Sequence, residues 1–83
     1  MKEPDVVNAD RIVDQARLIL AGHPPVVQSA ALADLLSMWL AGHIIEGAPV
    51  ETDALRERLL EGHIALVRRL LPVNAAAIHG AGA

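Results

Sequence analysis

Thr52 to Pro72 reads TDALRERLLEGHIALVRRLLP, and its apolar residues recur at steps of three and four. Leu55, Leu59, Leu66 and Leu70 form one stripe along a helix, and Leu60, Ile64, Val67 and Leu71 form a second, about 100° away. Glu57, Arg58, Glu61, Arg68 and Arg69 are left for a solvent face. One partner helix cannot cover both stripes. The segment predicts a helix with Thr52 or Asp53 as N-cap, ending near Leu71 because Pro72 opposes continuation. Such a helix either lies in the groove between two others or lends its second stripe to another copy of the chain, and the spacing favours both together.

Working upstream, Pro25 to Ala41 predicts a second helix, since a proline fits the first helical turn and Gly42 follows as a stop. Leu32, Leu35, Leu36, Trp39 and Leu40 share its core arc, Ala30, Ala33, Asp34, Ser37 and Ala41 make a flat strip, and Val27 and Met38 lie between the two. A first helix is expected over residues 8–21, with Ala9, Ile12, Val13, Ala16, Ile19 and Leu20 on one face, Asn8 as N-cap and Gly22 as the stop. Past Pro72 the chain is rich in Ala and Gly, with one short turn after Asn74. The alternation of a strand is absent. These patterns predict an all-α fold, a small bundle of three main antiparallel helices over about 8–21, 25–41 and 52–71. Residues 1–7 form an N-terminal arm, 8–72 a single helical domain and 73–83 a partly disordered tail.

Composition narrows the chemistry. The 83 residues contain no Cys, Phe or Tyr, and 53% are apolar. The lack of Cys excludes disulfides, thiol nucleophiles and zinc ribbons, and a single Trp offers little on which bases can stack. Acidic residues outnumber basic ones in residues 1–53, whereas Arg56, Arg58, Arg68 and Arg69 outnumber Glu57 and Glu61 in 54–83. The most apolar window, Val26–Ile45, is interrupted by Gln28, Ser29, Asp34, Ser37 and His43, so it reads as a core helix rather than a membrane span. Residues 1–10 are acidic and lack an apolar run of signal-peptide length, which makes the cytoplasm the expected location.

Gly22-His23, Gly42-His43 and Gly62-His63 recur at twenty-residue intervals. Three imidazoles suggest zinc, but in an up-down-up bundle the first two lie at opposite ends, about 27 Å apart at 1.5 Å per helical residue. Helix termination explains those two pairs: glycine favours the position past a helix end, and a neighbouring imidazole can bind the exposed carbonyls. The third pair falls inside the unbroken pattern of helix 3. There Gly62 costs roughly 1 kcal/mol relative to Ala, a cost that close approach of a neighbouring backbone would offset. His63 projects into the wide apolar arc, with Asp34, the one acid in the middle of helix 2, as the candidate buried partner; Asp34 points away from that helix's leucine arc, a mismatch that a contact across a symmetric dimer would relieve.

No nucleophile sits beside a base, no glycine-rich loop cradles a phosphate, and the carboxylate pairs Asp10/Asp14 and Glu57/Glu61 occupy solvent faces. The expected protein is not an enzyme and needs no cofactor or metal. It is a protein-interaction or self-association module, with itself as the first partner through a homodimer. Its interface is expected at Leu60, Ile64, Val67 and Leu71, flanked by Val27 and Met38. A small-ligand or metal site using His63 is the second reading. A nucleic-acid regulator using the helix-3 arginines is the third; it is disfavoured because Glu57 and Glu61 share the basic face.

Overall fold

A computed structural model of the chain describes residues 3–80. The protein is all-α: α1 spans Pro4–Leu20, α2 spans Pro25–Ala41 and α3 spans Pro49–His79, with no strand among the described residues. The chain divides into two compact units, residues 1–35 and 36–83, and the division falls within α2. No helix among the described residues is long and apolar enough to cross a membrane.

In the first unit α1 begins at Pro4, inside the stretch expected as an arm, and Asn8 lies in the helix rather than at its cap. The reason is local. Pro4 has no N–H to leave unsatisfied and its φ is already helical, Asp5 complements the positive end of the dipole, and the Val7 N–H bonds to the Glu3 carbonyl at 3.1 Å. At the other end Gly22 turns the chain out with φ +83°, while the Ala21 N–H returns to the Arg17 carbonyl at 3.0 Å. The Pro24 carbonyl then accepts from Val27 and Gln28, which starts α2 at the expected proline. Val7, Ala16, Leu20, Gln28 and Ala31 are half-buried here. Ile12, Val13 and Ile19, expected on the covered face of α1, are exposed.

The second unit contains the end of α2, the connecting residues 42–48 and all of α3. Its half-buried set is denser: Leu36, Leu40, His43, Leu55, Leu59, Leu60 and His63. Two helix limits differ from those expected. The start moves back to Pro49, with Ala48 at the cap position, because a proline again supplies the first turn and the Thr52 hydroxyl is used elsewhere. The end moves past Pro72 to His79. Pro72 deprives the Arg68 carbonyl of its helical donor, but residues 64–80 are exposed, so water reaches that carbonyl, and Ala75, Ala76 and Ala77 are the strongest helix formers. The tail is therefore helical through residue 79, closed by Gly80 at φ +87°; its expected disorder at 81–83 lies outside the described residues. The helix runs unbroken through Gly62 and His63, as the pattern predicts. Among the described residues no hydrophobic side chain is fully buried.

Candidate functional site

The densest set of specific interactions is the α2–α3 corner. A helix end leaves its last carbonyls without intrahelical donors, and in α2 these are met from α3. Arg56 donates from Nη2 to the Ala41 carbonyl at 2.8 Å and from Nε to the His43 carbonyl at 3.0 Å. A guanidinium there also complements the negative end of the α2 dipole. One turn earlier, Thr52 holds the connecting residues. Its hydroxyl accepts the Ile45 N–H at 3.0 Å and donates to the Ala48 carbonyl at 2.8 Å, with the Ile45 carbonyl at 3.2 Å as a second acceptor. Thr52 is 4% exposed and is the one buried polar residue among those described.

Trp39 forms the wall of this corner. His43, four residues on, donates from Nδ1 to the Trp39 carbonyl at 2.7 Å; a carbonyl only accepts, so Nδ1 carries the proton and Nε2 is the second face of that ring. The rings of His43 and His63 each meet the indole edge-on, both at a centroid distance of 4.6 Å. Beside them runs a shallow groove of about 230 Å³ lined by Trp39, Arg58, Leu59, Gly62, His63 and Leu66. A Cβ added at Gly62 would meet nothing within 4 Å. The close backbone approach expected at that glycine is therefore not made by the described residues of the second unit.

The expected site residues separate into two groups. His63 is half-buried against Trp39, and Asp34, expected to be buried, is exposed on α2. Along the second stripe of α3, Leu60 is half-buried and exposure rises to 43% at Ile64, 60% at Val67 and 63% at Leu71. Val27 and Met38 are also exposed. No group of three or more His, Asp or Glu residues among those described is arranged to hold a metal ion. Arg56, one of four arginines considered for phosphate binding, has two of its donors committed, one to the last residue of α2 and one to His43 just after it.

No protein-family model, curated protein or solved structure matches the chain.

Sequence reasoning missed Arg56 and Thr52 as the residues that fasten the corner. A signal for Thr52 exists in its position four residues after Ala48, where a hydroxyl can bond back to the preceding carbonyl. Arg56 lies thirteen residues from His43, a separation that no local spacing rule encodes.

Proposed function

We propose that the protein is a non-enzymatic self-association module that works as a homodimer, with the second stripe of α3 at its centre. The observation that carries this reading is the exposure of Ile64, Val67 and Leu71 on a helix whose adjacent face is half-buried at Leu55, Leu59 and His63. Fully burying a Val, Leu or Ile side chain stabilises by about 1.5–3 kcal/mol, so covering the open parts of these three in both copies contributes on the order of 5 kcal/mol. Association itself costs an estimated 4–15 kcal/mol, so the stripe needs help from neighbouring apolar surface. Met38, exposed and in the same unit as α3, is proposed to supply it. Small domains often secure their margin by pairing in this way, and two-fold closure is the commonest form.

Sedimentation equilibrium tests the reading. A dimer at tens of micromolar, weakened by Val67→Asp with helicity retained, is the expected result. A monomer at several hundred micromolar overturns it.

A further inference from the structure

The stripe Leu60, Ile64, Val67, Leu71 advances by steps of four, three and four, the seam spacing of paired helices, and this sequence of steps is the same read from either end. A reversed copy therefore offers the same ridge in register. Resting on the self-association reading, we infer that two copies pair through α3 in antiparallel orientation, about a two-fold axis between Ala65 and Leu66. Leu60 then faces Leu71 of the second copy, and Ile64 faces Val67 of the second copy.

Charge complementarity selects the same occupant and the same direction. Viewed down the helix, the stripe has two flanks. One carries Leu55, Leu59 and His63, half-buried within the second unit. The other carries Glu61 and Arg68, both exposed and seven residues apart, so that they stand one above the other beside the seam. Reversal of the second copy sets Glu61 against Arg68 and Arg68 against Glu61, giving two opposite-charge pairs across the axis. A parallel pairing lacks this match. It needs Arg56 as the counterion of Glu61, but Arg56 is bonded to the Ala41 and His43 carbonyls, and it brings His63 beside Arg68.

Two experiments on the full chain test the arrangement. Glu61→Arg makes both flanking positions basic and Arg68→Glu makes both acidic. Each variant alone is expected to show a dimer dissociation constant raised about tenfold, the effect of exchanging two exposed attractive pairs for two repulsive ones, and an equimolar mixture of the two is expected to recover wild-type affinity. The chain has no cysteine, so added thiols are unambiguous. Leu60→Cys mixed with Leu71→Cys is expected to give the mixed disulfide, while neither alone cross-links, because like positions lie about 16 Å apart along the axis. Symmetric disulfides from either cysteine variant, or charge variants that dimerise as tightly as wild type, overturn the antiparallel register and leave the homodimer standing. A monomeric wild type overturns both.

Discussion

The chain turns twice after the same tripeptide, Ala21-Gly22-His23 and Ala41-Gly42-His43, and the two turns are built differently. At the first, Gly22 takes a left-handed φ of +83°, the next helix starts three residues later, and a neutral side chain closes the end: Gln28 donates from Nε2 to the Leu20 carbonyl at 2.8 Å. At the second, Gly42 has no positive φ, the left-handed position moves on to Gly47, and the carbonyls of Ala41 and His43 are met by the charged Arg56. A glycine after a helix stops it in both cases. What the tripeptide does not determine is which distant donor satisfies the freed carbonyls, and that donor decides how firmly a corner is held.

Removing the fastening of the second corner produces the largest expected effect. Thr52→Ala leaves the Ile45 N–H without its hydroxyl partner in a nearly closed site, a loss of about 1–3 kcal/mol, read as a lower urea midpoint with an unchanged slope. A change within 0.3 kcal/mol breaks the contrast, since the second corner would then owe nothing to that hydroxyl. The two glycines give a sharper comparison at smaller scale. Gly22→Ala forces a side chain into left-handed backbone and is expected to cost about 1–2 kcal/mol. Gly42→Ala meets only the Met38 and Trp39 carbonyls at 3.5 Å, ordinary contact, and is expected to lie within about 0.5 kcal/mol of wild type. Equal losses in thermal melts contradict the difference in backbone. Gln28→Ala falls between the two glycine variants: one neutral, partly exposed hydrogen bond is lost, for about 0.5–1 kcal/mol.

How far these features were legible depends on the range of the interaction that makes them. The helix α2 was readable at both ends because Pro25 and Gly42 act on their own turns. The same proline rule applies at Pro4 and Pro49, but Asn8 and Thr52 competed as side-chain caps, and the spacing of apolar residues does not decide between a cap and a proline start. Pro72 reads as a stop because its local penalty is large, whereas the helix continues through a fully exposed segment where water replaces the lost bond and alanines carry the turn onward. Two second-corner partners came from other elements. Arg56 reaches back fifteen residues to the last carbonyl of α2 and thirteen to the connecting His43, and His63 meets Trp39, since the wheel of one helix specifies a direction but not what stands there. Counting apolar faces against the helices available to cover them expects open apolar surface on α3 but does not choose the stripe, since Leu66 and Leu70 are exposed beside Ile64, Val67 and Leu71.

Trp39 gives the second corner an optical signature of its own. With no Tyr in the chain, near-ultraviolet emission comes from this indole alone, and its edge-on contacts with the rings of His43 and His63 tie that emission to the junction of α2 with α3. Circular dichroism, by contrast, sums the turns of all three helices. Recording both during one denaturant titration compares a single junction with the whole backbone, and coincident curves are the mark of one cooperative transition. Curves that separate would show that a chain of 83 residues comes apart in stages, with the fluorescence marking the stage at which this junction opens.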